Sequence, residues 1–330
     1  MTEKEYFKNN VFEPHSAEQF NELALRLFLY QAKGNQVYAR YLGYLGVNPD
    51  EIKTVEQIPF LPISAFKKYP VITGEAVSPR VFRSSGTSKS GLSQHFVSDL
   101  DVYHQGWQQG FKYFYGSVAD YCVLALLPSY LERKDSSLVY MAEQMINQSS
   151  DSDSAFYLGN TEELYEVLGK KIKTNKKTIL LGVSFALLDF ADQYQLNCNQ
   201  VIIMETGGMK GRKKEMIRGD LHFILKKKLG VETIHSEYGM TELLSQAYSK
   251  SEGKFRCPPW MNVYIRQTTD AFTQAPLGKT GGLNVIDLAN FNSCSFIETQ
   301  DLGRKHNDGT FEVLGRFDHS EIRGCNLMID

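Results

Sequence analysis

The sequence predicts an α/β protein: largely parallel sheets with flanking helices, plus a small β-rich subdomain. Three observations carry this. From Tyr121 to His235, short apolar runs alternate with helical patterns, and strands separated by helices need crossover connections. Beyond Glu242 that alternation gives way to short strand-type segments between turns. A chain of 330 residues that is 42% hydrophobic can bury a large core, on the scale of about two domains.

The elements follow in order. Ser16-Ala-Glu-Gln19 reads as a capping box, followed by the apolar periodicity of Phe20, Leu23, Leu25, Leu27 and Phe28, with Gly34 as the natural C-cap. A second helix spans about 37–45 and stops near Gly46. Pro59, Pro62 and Pro70 mark an extended, irregular stretch. Tyr103, Trp107, Phe111 and Phe114 fall three or four apart and form a helical stripe, a pattern more typical of core than of a pocket. Tyr121 to Leu127 is a buried-strand run ending at Pro128, Ser137 to Asn147 a helix, and 155–158 a short strand. Ser149 to Ser154 reads as a polar surface loop. A helix opens at Thr161 with acidic residues in its first turn. Strands at 178–183, 201–205 and 231–235 alternate with helices at 185–194 and 212–229. The closing strands lie at 262–266, 282–286, 295–299 and 310–314. This divides the chain into a helical lead-in (1–80), an α/β core (81–245) and a β-rich subdomain (246–330).

Bulk properties exclude several classes. A net charge of −2 supplies no global field for nucleic acid or acidic lipid, so no nucleic-acid partner is expected. The lysine-rich stretches 170–177, 210–214 and 226–228 read as solvated helix faces. Five scattered cysteines without CxxC spacing fit neither a disulfide framework nor a zinc site. The charged N-terminus has no signal-peptide pattern, and no apolar run approaches a membrane span, so a cytoplasmic location is expected.

Three ordered segments carry the chemistry. In Arg83-Ser-Ser-Gly-Thr-Ser-Lys-Ser-Gly91, the backbone N–H groups and hydroxyls of Ser84, Ser85, Gly86, Thr87 and Ser88 can converge on phosphate. Lys89 adds a mobile charge; a Gly/Ser surface turn is the competing reading. In Glu237-Tyr-Gly-Met-Thr-Glu242, Tyr238 offers a face for a purine, and Gly239 lets the backbone approach closely. Thr241 offers a donor to phosphate and Glu242 a carboxylate for Mg2+, against a plain helix-capping turn. In Asp301-Leu-Gly-Arg304 and Gly315-Arg-Phe-Asp318, Asp301 can accept from both ribose hydroxyls and Arg316 can donate to sugar or phosphate, unless both are turn residues. Between them, Gly207 and Gly208 follow an apolar strand, where open sheets bind ligands, and could receive an adenine ring; a plain turn is the alternative.

SSGTSKSG, TGGMKG, YGMTE, DLGR and GRFD, in this order and spacing, resemble the adenylate-forming superfamily of acyl-CoA synthetases, adenylation domains and luciferases. The resemblance covers about residues 80–325, and within it the chain is most similar to acyl-protein synthetases of the LuxE type. It implies the N-terminal-domain fold of that superfamily, with ATP and Mg2+ as cofactors. The mobile C-terminal domain of typical members, with its lysine, has no counterpart here. The first half-reaction would join a carboxylic acid, of the fatty class, to AMP. Ser84 to Lys89 would hold the β- and γ-phosphates, Thr241 the α-phosphate and Glu242 the metal. Tyr238 with Gly207 and Gly208 would sandwich adenine, and Asp301 with Arg316 would fix the ribose.

The second half-reaction would pass the acyl group to a thiol. Cys325 is the candidate, beside Arg323, for delivery to a partner acyl reductase or carrier; an inert thiol is the other reading. His95 and His235 flank the motifs as structural histidines or as groups facing the acid. Two further readings remain: an acyl-CoA or aryl-CoA ligase of the same fold, and a catalytically degenerate nucleotide-binding subunit.

Overall fold

The computed structural model describes residues 1–14, 16–75, 80–84, 91–127, 135–157, 159–207 and 216–317. Its N-terminal helices are α1 (Glu3–Asn10), α2 (Ala17–Gly34) and α3 (Gln36–Tyr44). The sequence reading passed over α1, although Thr2 and Glu5 form a reciprocal capping box at its start. Ser16 caps α2 through Gln19 N at 3.2 Å, as its pattern predicts. Gly34 is not the C-cap: Asn35 ends α2 and also caps α3 through Tyr38 N. Gly34 instead permits close packing, since a Cβ there would lie 3.3 Å from Thr73 Cγ2.

The chain continues through β1 (Leu61–Pro62), α4 (Ala65–Lys68), β2 (Arg80–Arg83), β3 (Gln94–Val97) and α5 (Leu100–Tyr115). Strands β2 and β3 pair antiparallel, so the serine-rich segment connects two strands of one ladder. Tyr103, Trp107 and Phe111 of α5 are buried, the core role their spacing favours.

The alternating part yields β4 (Cys122–Leu126), α6 (Ser137–Gln148), β5 (Ala155–Phe156), α7 (Thr161–Thr174), β6 (Thr178–Val183), α8 (Ser184–Gln193), β7 (Val201–Thr206), α9 (Arg218–Leu229), β8 (His235–Tyr238) and β9 (Ala247–Ser249). Among the described residues these strands form one sheet in the order β5-β4-β6-β7-β8-β9, parallel except for β8 with β9. Every residue of β4 and β6 is buried, which explains unbroken apolar runs rather than alternation. The strand expected at 231–235 begins only at His235 and runs to Tyr238, so it overlaps the Glu237–Glu242 segment instead of preceding it. Residues 212–215 of the expected long helix lie outside the described residues.

One polar expectation needs correction. Lys171 is not on a solvated face. It is 6% exposed, with Nζ 2.6 Å from Asp151 and 2.8 Å from Asp153. The 149–154 segment is the surface loop expected, anchored where Ser149 donates to Tyr121 O at 2.6 Å and Ser154 accepts from Val123 N at 2.9 Å.

The last strands are β10 (Met261–Arg266), β11 (Gly281–Asp287), β12 (Phe296–Lys305) and β13 (Phe311–Arg316). They form a second sheet in the order β1-β12-β11-β10, with β13 also on β12. β1 pairs parallel to the first half of β12 and β13 antiparallel to its second half. The N-terminal helices dock on the same layer. Gln31, fully buried in α2, donates to Asn290 O at 3.0 Å and accepts from Ser295 N at 2.9 Å. Asn35 donates to Ser293 O at 2.9 Å.

Gln31→Leu keeps the volume but strands these buried backbone groups. The expected loss is about 3 kcal/mol, since each unsatisfied buried group costs roughly 1–3 kcal/mol. Urea unfolding should show a lower midpoint at unchanged slope; an unchanged midpoint would remove Gln31 from this role.

Candidate active site

Parallel strands bring the carboxyl ends of β6, β7 and β8 to one edge of the larger sheet, where ligands bind in open α/β folds. Gly207 follows β7 with a left-handed φ of 66°, which favours glycine, and its carbonyl accepts from Ser184 Oγ at 2.8 Å. Gly208 lies outside the described residues, as do Ser85, Gly86, Thr87, Ser88, Lys89 and Cys325.

β8 ends in Tyr238, whose ring stands edge-on to Phe255 and Phe311. Its hydroxyl donates to Asp301 Oδ2 at 2.9 Å. The antiparallel register of β12 and β13 sets Asp301 opposite Arg316, and Arg316 Nε donates to Asp301 Oδ1 at 3.0 Å. Tyr238, expected as a stacking face, is thus 93% enclosed and tied by its hydroxyl to the expected ribose carboxylate. The Arg316 side chain stays 72% exposed, so its remaining donors face solvent at the site mouth.

Gly239 is exposed, yet a Cβ there would sit 2.4 Å from Glu237 Oε1. The group that needs this glycine is a neighbouring carboxylate, in addition to any ligand. Thr241 is half-buried and Glu242 is 4% exposed. Burial pushes the Glu242 carboxyl up, while the Ser93 hydroxyl and the charge of Arg316 pull it back. Ser93 N also donates to Ser84 Oγ at 3.0 Å. Ser93 therefore joins the described end of the first motif to Glu242 of the second, and Arg316 joins Glu242 to the third.

Several residues escaped the sequence reading. Glu205, at the end of β7, binds Arg218 Nε at 2.8 Å, with His222 Nε2 at 3.5 Å. Burial alone would raise its carboxyl, but His222 and Arg218 hold it below the usual range. Glu237, its neighbour on β8, accepts from the Thr206 hydroxyl and is pushed up to about 7 by burial and the nearby Glu205. Arg218 also donates to Val313 O at 2.8 Å, tying α9 to β13. No local pattern marks these residues; acidic positions at the ends of two neighbouring parallel strands are the only signal. His235 receives or donates a bond with Tyr115 at 3.1 Å, and burial lowers it to about 4.

The donor set fits a nucleotide. A carboxylate already bonded to a tyrosine hydroxyl and an exposed arginine stands beside a second, buried carboxylate. Mg2+ is held in nucleotide sites by one or two carboxylates plus phosphates, which Glu242 can satisfy. Among the described residues no group of three His, Cys, Asp or Glu could hold a metal unaided. No helix among them is long and apolar enough to cross a membrane.

No protein-family model matches this sequence, and no curated protein sequence does. Solved structures do match. An ATP-bound RpMatB-BxBclM chimera superimposes with a TM-score of 0.56 at 14% identity, over 74% of this chain and 49% of its own. ATP-bound MatB from Rhodopseudomonas palustris gives 0.54 at 15% identity, over 72% and 47%. 2-Hydroxyisobutyryl-CoA ligase with 2-HIB-AMP and CoA gives 0.69 at 14% identity, over 93% and 70%. The chain spans about half the length of the first two. At these identities the likeness concerns the fold: this chain has the α/β fold of the adenylate-forming acyl-CoA ligases.

Glu237 gives the pH behaviour a sign. A carboxyl at about 7 when folded and 4.5 when free binds its proton more tightly in the native state, so stability declines as pH rises from about 4.5 to 7. The decline amounts to about 3 kcal/mol. Glu237→Gln should abolish this slope and be the more stable protein above pH 7. Parallel slopes for both proteins in urea melts from pH 5 to 8 would contradict the assignment.

Proposed function

We propose that this chain activates a carboxylic acid with Mg-ATP, forming an acyl-adenylate and pyrophosphate. The observation that carries the reading is the convergence of three sequence-distant motifs on one point. Ser84 reaches Glu242 through Ser93, and Glu242 reaches Asp301 and Tyr238 through Arg316. The fold likeness to ATP-bound ligases supports it.

In this reading Asp301 accepts from the ribose hydroxyls, preorganised by Tyr238 and Arg316. The exposed Arg316 guanidinium offsets charge developing at the α-phosphate, and Thr241 orients that group. Ser84 to Lys89 hold the outer phosphates. Gly207 and Gly208 leave room for the adenine edge beside Tyr238. Bound Mg2+ would neutralise phosphate charge from the Glu242 carboxylate. The chain acts by positioning and fixed charge, with no covalent protein intermediate in this half-reaction.

The acceptor in the second half-reaction is proposed to be a thiol, Cys325, which loads a fatty acyl group as a thioester for a partner reductase or carrier. Sulfur attacks the acyl carbon, the bond to AMP breaks, and AMP leaves. A second reading, transfer to coenzyme A, draws on the wide overlap with 2-hydroxyisobutyryl-CoA ligase, whose structure holds CoA.

The test is acid-dependent exchange of labelled pyrophosphate into ATP over fatty and aromatic acids. Exchange with one acid class is expected; silence across the panel with ATP still bound would leave a nucleotide-binding subunit instead. Asp301→Ala should raise KM for ATP by about tenfold or more, the size of a lost charge-assisted contact. Cys325→Ser should keep exchange and lose hydroxylamine-sensitive labelling by radioactive acid. A labelled Cys325→Ser protein would move the acceptor elsewhere, and CoA-dependent AMP release without labelling would select the second reading.

A further inference from the structure

The segment 240–245 leaves the β8 ladder and resumes pairing only in β9. Its backbone groups are nevertheless buried or half-buried, and buried backbone groups need partners. Side chains supply them. Thr241 O receives His95 Nδ1 from β3 at 2.8 Å. Glu242 O receives Asn290 Nδ2 at 2.7 Å. Leu244 N and Ser245 N donate to Asp287 Oδ2 at 2.9 and 3.0 Å.

A carbonyl acceptor on Nδ1 requires the proton on that nitrogen, so neutral His95 carries a lone pair on Nε2. That nitrogen meets the Asn290 side chain, and with Nε2 unprotonated neither it nor the Asn290 Oδ1 has a donor. The two residues are 1% and 0% exposed. Burial lowers His95 to about 4, so the ring is neutral in ordinary buffer. Turning either group over does not help: an Asn290 flip would set Oδ1 against Glu242 O, and the other imidazole tautomer would set a lone pair against Thr241 O. Phe66 stands edge-on to the imidazole at 5.8 Å and fixes its plane. The fold tolerates two buried, unsatisfied acceptors here, and what it keeps in return is one donor on each of two successive carbonyls.

We propose that His95, as its Nδ1-protonated tautomer, is a positioning residue that together with Asn290 sets the place of Thr241 and Glu242 at the reacting phosphate. This rests on the adenylation reading of that site. It does not require His95 to touch substrate.

Stereochemistry provides the test. The amide nitrogen of asparagine is as many bonds from Cα as imidazole Nδ1, whereas that of glutamine corresponds to Nε2. His95→Asn should therefore keep the bond to Thr241 O and His95→Gln should lose it, although both are neutral amides. Mg-ATP affinity by calorimetry and the exchange rate are measured for wild type and both variants. His95→Asn should stay within about threefold of wild type, and His95→Gln should lose about tenfold to a hundredfold in exchange, the scale of a displaced catalytic group. Equal losses in both variants, or wild-type exchange in His95→Gln, would overturn the proposal. Histidine 15N spectra of the full chain provide the independent arm, with the His95 signal assigned from its absence in His95→Asn. A protonated Nδ1, unprotonated Nε2 and no titration between pH 5.5 and 8.5 are expected; the opposite tautomer or an imidazolium would sink the clamp. Exchange silence in the wild type would defeat the adenylation reading alone. The 15N spectra and the Mg-ATP affinities of the two variants would still judge the role of His95.

Discussion

Asp287 is the residue on which the arrangement turns. It ends β11 and is wholly buried, and its carboxylate accepts from Leu244 N, Ser245 N, Ser245 Oγ and Ala289 N. Burial raises this carboxyl, and the four donors oppose the rise. Such a group is costly unless fully bonded, and here it is. Its partners lie beside both sheets: the connection from β8 to β9 in the larger one, and the 3-10 turn at Leu288–Asn292 beside the smaller one. Ser245 Oγ also receives Trp260 Nε1 at 3.0 Å, which extends the junction toward β10. One carboxylate thus bonds at the junction of the two sheets.

With the sheets fixed, the site follows from register. Asp301 and Arg316 face each other because β12 and β13 are antiparallel, and Tyr238 reaches Asp301 because β8 ends where β12 passes. Arg218 makes a second crossing, from Glu205 to Val313. The adjacent acids Glu205 and Glu237 then settle unequally: one has an arginine and a histidine and stays charged, while the other has a threonine hydroxyl and holds its proton near neutrality.

Much of this was legible in the chain. Apolar runs located β4, β6 and β7 because strands buried on both faces need no alternation. Short glycine-bearing motifs located Tyr238, Glu242, Asp301 and Arg316 because their residue types suit a nucleotide. What stayed hidden depends on tertiary partners. Nothing beside Ser93, Asp287 or Asn290 in the sequence says which backbone group each will meet. Lys171 looked solvated because a lysine run carries no sign of Asp151 and Asp153 on the facing loop. β8 runs 235–238 instead of 231–235 because its polar sequence, His-Ser-Glu-Tyr, gives no apolar run to mark it.

The docking of α2 has a consequence for how the chain is made. Gln31 meets partners 259 to 264 positions later, and Leu61 pairs with Ile297. During synthesis from the N-terminus, α2 and β1 must wait with their polar groups solvated until residues 290–297 have emerged. Contacts of such sequence separation form late and slowly. The helices are translated well before the segment they lock onto, and their docking holds the 290–295 stretch whose Asn290 bonds Glu242 O.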